Sequence, residues 1–322
     1  MEQLNYTQII IENQIFNVLS MLGFGRFGMT FKAVDENGRY VCIKLIFPYP
    51  ENLEPRENKV KEVFWKTFGP ECQEHILCYY GSQTFENNDP QYSNINMLLI
   101  NTIENNLNET NKSNILKSWD IKFPIQSLIT QYIDGIDLKV YGERYGLFTN
   151  GLAIKFIKEM LEALTLLHNN HIYHRDIKTA NIMYEYNEEH ILNNFVLVDF
   201  GLACYRYIKD GEKKSTCNTV AGSLKFLTNE ILDIKYKKRK NVQSMAEEYR
   251  RSDIFALGMV MYILLYGSNK SPYKMDSFGY KDLSVIYIPN RKNVVNQIII
   301  FLLENYELPT EIIKETVDQM IG

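Results

Sequence analysis

The chain has 322 residues, 45% of them apolar, enough to bury a large core in one two-lobed domain or two small ones. A formal charge of −4 and a pI near 5.9 argue against a general nucleic-acid or membrane-surface binder, for which a basic balance is expected. The five cysteines, Cys42, Cys72, Cys78, Cys204 and Cys217, contain no Cys-x-x-Cys pair, and their scatter predicts reduced, mostly buried thiols in an intracellular compartment, with neither a disulfide framework nor a zinc site.

The N-terminus carries no basic segment followed by an apolar stretch, so no secretory leader is read there. Leu22-Gly23-Phe24-Gly25-Arg26-Phe27-Gly28-Met29-Thr30 supplies a Gly-x-Gly-x-x-Gly spacing, weak alone because dinucleotide-binding turns share it. The dinucleotide turn needs a helix next, whereas residues 30–34 read as a strand. The glycines therefore lie in a turn between two strands, either an ordinary glycine hairpin or a flap whose backbone N–H groups no side chain blocks from phosphates. Val41-Cys42-Ile43-Lys44 is a strand ending in lysine, and residues 58–66 read as a helix that includes Glu62, with Glu57 just ahead of it. Residues 75–81 and 128–135 read as strands. Between them, residues 85–120 are rich in Asn and poor in periodicity, and are expected to form a partly disordered surface insertion that buries too little apolar area to offset its ordering entropy.

Phe156, Met160, Leu164 and Leu167 recur at helical spacing, so residues 151–169 form an amphipathic helix whose stripe is core. His174-Arg175-Asp176-Ile177-Lys178-Thr179-Ala180-Asn181, followed by Asp199-Phe200-Gly201, then sets two carboxylates, an amide and an ammonium at offsets suited to phosphoryl transfer. Such a pattern arises by chance roughly once in ten thousand chains of this length. A polar segment follows to Glu230, containing Ser215, Thr216, Thr219 and Ser223. The basic run at residues 235–240 reads as a solvated insertion, with an acidic docking partner or a nuclear-import signal as alternatives. Ser252 caps a helix that ends at Gly267 and is apolar nearly all round, hence buried. The apolar run at residues 298–303 falls far short of the roughly 20 residues that span a bilayer, so a soluble protein is expected.

These motifs resemble the eukaryotic-like serine/threonine protein kinase family, closely over residues 16–266 and loosely beyond. The resemblance implies that Asp176 is the base for the substrate hydroxyl, that Asn181 and Asp199 are metal ligands, and that Lys178 places a point charge near the transferring phosphoryl. A lysine at that place looks like the serine/threonine class. It also implies a phosphate lysine in Lys44 aimed by Glu62, with Glu57 as the other candidate, and a flap of Gly23, Gly25, Gly28 and Thr30. Thr130 is then the gatekeeper behind adenine, the backbone of Gln131 and Ile133 meets the adenine edge, and Cys42 and Met183 sandwich the ring. Asp253 is expected to bond the catalytic-loop backbone, and Ser223 to contact the base and the loop lysine. Ser215, Thr216 and Thr219 are candidate phosphorylation sites able to pair with Arg175. Residues 309–322 look like the penultimate helix of the large lobe, so the arginine that normally pairs with Glu230 is expected to be missing.

The expected fold is α+β and two-lobed, kinase-like: a small antiparallel β lobe with one helix over residues 1–133 and a larger, mainly helical lobe over residues 134–322. The expected activity transfers the γ-phosphoryl of ATP, with Mg2+, to Ser or Thr hydroxyls of protein substrates. A catalytically weak pseudokinase acting as a nucleotide-binding scaffold, and a kinase-like small-molecule phosphotransferase, are the competing readings. No nucleic-acid partner is expected.

Overall fold

The computed structural model describes residues 7–24, 28–48, 56–117, 120, 123–186, 193–237 and 245–322. Gly25 of the flap, Lys238, Arg239 and Lys240 of the basic run, residues 118 and 119 of the Asn-rich segment and the side chain of Glu57 lie outside the described residues. The chain divides into two compact units, residues 1–72 with 77–132, and residues 73–76 with 133–322.

In the first unit, alternating apolar residues make strands β1 (Thr7–Ile11), β2 (Gln14–Phe24), β3 (Gly28–Asp35), β4 (Tyr40–Ile46), β5 (Tyr79–Phe85) and β6 (Ile125–Gln131). They form one antiparallel sheet in the order β1-β2-β3-β4-β6-β5. Helix α1 (Arg56–Phe68) turns Val60, Lys61 and Phe64 inward. Lys61 is buried there; its ammonium donates to Ser82 Oγ at 2.8 Å and lies 4.2 Å over the Trp65 ring.

The Asn-rich segment is not an irregular insertion. It folds as α2 (Tyr92–Asn106) and α3 (Glu109–Leu116), so among the described residues the unit carries three helices rather than one. Tyr92, Ile95, Leu99 and Ile103 stand three and four residues apart and join the same core cluster as Phe16, Phe31 and Ile129. Burying Ile95, Leu99 and Ile103 contributes about 1.5–3 kcal/mol apiece toward the ordering of the segment. The asparagines do local work: Asn108 caps α3 by accepting from Asn111 N, and Asn106 donates to Thr102 O.

The second unit is mainly helical. Short strands β7 (Gly135–Asp137), β9 (Ile182–Tyr186) and β10 (Asn193–Leu197) pair as β10-β9-β7, and β8 (Ile172–Tyr173), β11 (Cys204–Lys209) and β12 (Glu212–Ser215) as β12-β11-β8. Around them run α4 (Leu138–Tyr145), α5 (Asn150–Asn169), α6 (Asn229–Lys237), α7 (Ala246–Tyr266), α8 (Val294–Glu304) and α9 (Thr310–Ile321). Helix α7 is buried as expected, but it begins six residues before Ser252, which lies inside it. Ala246 and Tyr249 extend its apolar surface, and Glu247 and Glu248 in the first turn favour that N-terminus through the helix dipole. Among the described residues no helix is long and apolar enough to cross a membrane.

The expectation of reduced thiols is overturned: Cys72 bonds Cys78 and Cys204 bonds Cys217, with only Cys42 free. Separations of 6 and 13 residues carry no redox motif, and tertiary folding alone brings the Cα atoms to 5.0 and 5.1 Å. The argument for an intracellular compartment loses its basis in free thiols. Cys204 and Cys217 are both fully buried at the base of the β11–β12 hairpin, so this bond closes the start of the polar segment that follows Asp199.

The end of that segment is held by a residue far along the chain. Lys281, 4% exposed, donates from Nζ to the carbonyls of Leu224, Leu227 and Gly279 at 3.3, 2.7 and 2.8 Å, while its backbone exchanges two hydrogen bonds with the Asn229 side chain. Glu230, for which no arginine partner is expected, accepts from Tyr306 Oη at 3.4 Å and acts electrostatically on Lys281.

Two outcomes follow from these ties. Alkylation of the unfolded, unreduced protein should modify one cysteine and, after reduction, five; five before reduction would refute both disulfides. Burial pushes the Lys281 ammonium from 10.5 down to about 8, against the pull of Asp276 and Glu230. Between those values the unfolded chain binds the extra proton, so this group's contribution to stability is present above about 10.5 and lost as pH falls through 8. Denaturant unfolding of wild type against Lys281→Met should therefore show a difference that grows by up to about 3 kcal/mol from pH 7.5 to 10.5. A flat difference across that window would refute the linkage.

Candidate active site

Register in the first unit aligns the residues expected to face phosphates. Gly23 pairs with Thr30, Thr30 with Lys44 and Lys44 with Leu128, so Gly23, Thr30 and Lys44 occupy one row across β2, β3 and β4. Gly28 is required by close approach: a Cβ there would meet the Leu45 carbonyl oxygen at 2.3 Å. One register step on, Cys42 pairs with Thr130, and burial pushes the Cys42 thiol up to about 11. The Gln131 N–H donates to Cys78 O at 2.9 Å, and its carbonyl accepts from Thr130 Oγ1 at 3.4 Å. Glu62, expected to aim Lys44, is exposed on α1, next to the buried Lys61.

The second unit gathers Asp176, Lys178, Asn181 and Ser223 around one carboxylate. Asp176, 6% exposed, accepts at Oδ1 from the backbone N and Oγ of Ser223, at 3.1 and 2.9 Å. At Oδ2 it accepts from Lys178 Nζ at 2.6 Å and Asn181 Nδ2 at 3.1 Å. Asn181 Nδ2 also donates to the Asp176 carbonyl, and its residue sits in a single 3-10 turn, Thr179–Asn181.

This constellation is fixed from below by Asp253 on α7. Its Oδ2 accepts from His174 N and its Oδ1 from Arg175 N, each at 2.8 Å, as the resemblance led us to expect. His168 on α5 donates Nε2–H to Oδ2 at 3.2 Å and meets Thr310 Oγ1 at 2.8 Å through Nδ1, joining α5, α7 and α9 at one buried point. The contacts hold Arg175 at φ 72°, a left-handed conformation that costs a non-glycine residue on the order of 1 kcal/mol or more.

His174 links this loop to the Asp199-Phe200-Gly201 turn. Its Nδ1 accepts from Asp176 N at 3.2 Å, so Nε2 carries the proton donated to Val198 O at 3.0 Å, and its ring packs edge-on against Phe200. Val198 N donates to Asn181 O, and Asp199 follows in the left-handed region at φ 62° with its side chain exposed. Gly222 closes the other side. At φ 107° its Cβ would meet the Arg175 carbonyl oxygen at 2.4 Å.

Of the three candidate phosphorylation sites, Thr219 faces Arg175, whose Nη2 lies 3.5 Å from its Oγ1. Thr216 is committed to the hairpin through both backbone groups of Tyr205, and Ser215 Oγ accepts from Cys217 N. Tyr249 on α7 completes the support: its hydroxyl donates to Thr219 O and accepts from Ala221 N, while the Arg175 guanidinium lies 4.5 Å over its ring.

The donor set suits a hard cation. Both Asn181 amide hydrogen bonds run to Asp176, which presents the amide oxygen as the free end, and Asp199 supplies an exposed carboxylate. Two such oxygens fit magnesium, which keeps waters and phosphate oxygens in its shell, better than a dedicated cage. Among the described residues no group of three His, Cys, Asp or Glu forms such a cage. Met183 lies on β9 opposite Asp137 of β7, and Ile133 is buried just before β7; both belong to this unit, whereas Cys42, Thr130 and Gln131 belong to the first. Sequence reading missed His168, Tyr249, Thr310 and Lys281, whose only local signal is a polar group in an apolar setting.

A family model for the protein kinase domain matches residues 16–289. Similar proteins include the serine/threonine-protein kinase PknB of Mycobacterium tuberculosis, 32% identical over 48% of this chain and 22% of its own length. The serine/threonine-protein kinase ATG1c of Arabidopsis thaliana is 27% identical over 53% of this chain and 21% of its own. Calcium-dependent protein kinase 5 of Plasmodium falciparum is 31% identical over 48% and 24%. The chain thus spans about a quarter or less of the length of these relatives. With its two-lobed α+β architecture, its anchored catalytic loop and a family match covering most of its length, the chain belongs to the protein kinase family.

Proposed function

We propose that this chain is an active serine/threonine protein kinase that transfers the γ-phosphoryl of ATP to Ser or Thr hydroxyls of protein substrates. The observation that carries the reading is the Asp176 carboxylate, buried and oriented by Ser223, Lys178 and Asn181. Asp176 orients the acceptor hydroxyl and takes its proton, and Lys178 supplies positive charge beside the phosphoryl in flight. Gly23, Gly25, Gly28 and Thr30 cover the phosphates, and Lys44 pairs with them. Cys42, Thr130, Gln131, Ile133 and Met183 line the adenine. Asn181 and Asp199 are the ligands for magnesium, which when bound neutralises charge on the phosphates. The similarity to proteins named as serine/threonine kinases, and Lys178 two residues after the base, support the hydroxyl specificity. The ordered platform from Thr219 to Glu230, held by Tyr249 at its start and by Lys281 further on, supports a protein acceptor over a small molecule.

The exposed position of Glu62 favours one rival, a nucleotide-binding scaffold with weak or no transfer. Transfer of labelled phosphate to a Ser/Thr peptide distinguishes them: wild type should transfer with Mg2+, and Asp176→Asn should lose at least about 100-fold in kcat. Magnesium-dependent ATP binding with no transfer by wild type would overturn the kinase reading in favour of the scaffold. The anchor is tested separately. Asp253→Asn turns an amide toward two backbone donors and should cost about 3 kcal/mol of stability and lower kcat more than tenfold. Unchanged stability would show that the loop is held by something else.

A further inference from the structure

Charge is unevenly distributed along the chain in a way the proposed reaction does not use. Between Cys204 and Lys237 there are seven basic and four acidic residues, a net of +3 in a chain whose total is −4. Three of the bases are committed to carboxylates: Arg206 to Glu247, Lys214 to Glu212 and Lys237 to Asp233. Among the described residues Lys209, Lys213, Lys225 and Lys235 form no ion pair.

Lys225 stands apart from the others by its position. It lies two residues beyond Ser223, whose hydroxyl bonds the Asp176 carboxylate, within a single 3-10 turn Leu224–Phe226 that is pinned by Lys281. Its ammonium is half-buried and donates to Ser268 O at 2.8 Å, and burial lowers its pKa without an offsetting carboxylate. A partly desolvated ammonium held by one carbonyl keeps two N–H donors and an uncompensated charge, two residues along the chain from the Ser223 that bonds Asp176. An extended peptide rises about 3.3 Å per residue, so a side chain two or three residues from the acceptor reaches this neighbourhood.

We infer that the substrate class of this kinase is acidic: a carboxylate two or three residues from the phosphoacceptor Ser or Thr is read by Lys225, and the surrounding excess of lysine attracts further acidic residues. The inference rests on the kinase reading above. Exposed Lys209 and Lys213 on the β11–β12 hairpin and Lys235 on α6 supply the wider positive field, which raises the encounter rate with acidic segments.

The test uses the full chain and three peptides with one acceptor serine and acidic, neutral or basic flanks. The acidic peptide should exceed the basic one in kcat/KM by about tenfold, and that ratio should collapse in Lys225→Glu and shrink in Lys225→Gln. Because the ratio is taken within one preparation, loss of folded protein does not affect it. A wild-type ratio of one or less, or a ratio that neither variant moves, overturns the inference while leaving the kinase reading intact. If no peptide is phosphorylated, the kinase reading fails, and fluorescence anisotropy with the same labelled peptides decides the surface: tighter binding of the acidic peptide that Lys225→Glu abolishes upholds it, and equal binding overturns it.

Discussion

The carboxylate of Asp253 accepts from two backbone N–H groups of the catalytic loop and from His168, in a helix that is buried along most of its length. A buried carboxylate with fewer donors would be costly, and two loop N–H groups without it would be equally so. Each side therefore requires the other. Because His168 passes the connection to Thr310, the loop is fixed against three helices at once, and the left-handed backbone at Arg175 is stabilised by that anchoring. The position of Asp176 is set by these contacts more than by its own.

The polar segment that follows is held from three directions. A disulfide closes its start at Cys204 and Cys217, Tyr249 bonds its middle at Thr219 and Ala221, and the Lys281 ammonium gathers its last carbonyls. Ser223 lies between the last two ties and reaches Asp176. Glu230 has its partner in Tyr306, a phenol raised to about 12 by burial and by that carboxylate. Beside that carboxylate the structure sets a hydroxyl and a nearby buried ammonium, Tyr306 and Lys281.

In the first unit, sheet register performs the task that anchoring performs in the second. A two-residue period places Thr30 and Lys44 in one row, and the absence of a side chain at Gly28 lets β3 approach the Leu45 carbonyl. The same sheet is thickened by α2 and α3, whose apolar stripe shares its core. Lys61 occupies the inner face of α1, and Glu62, which follows it in sequence, is exposed.

Much was legible in the residues themselves. The loop from His174 to Asn181, the Asp199-Phe200-Gly201 turn, the glycine flap and Lys44 are short-range patterns, because each depends on offsets within one strand or turn. The stripe of Phe156, Met160, Leu164 and Leu167 was likewise readable from period alone, whereas the weaker stripe of Tyr92, Ile95, Leu99 and Ile103 was masked by the asparagines between its members. Tertiary structure alone decided what joins distant segments: the pairing of Cys72 with Cys78 and Cys204 with Cys217, the reach of Lys281 to Leu227, of Tyr306 to Glu230 and of His168 to Asp253. The physical reason is that a helix or turn is specified by the local spacing of its side chains, but a buried polar group is specified by the partner that satisfies it, and that partner is fixed only when the chain has closed around both.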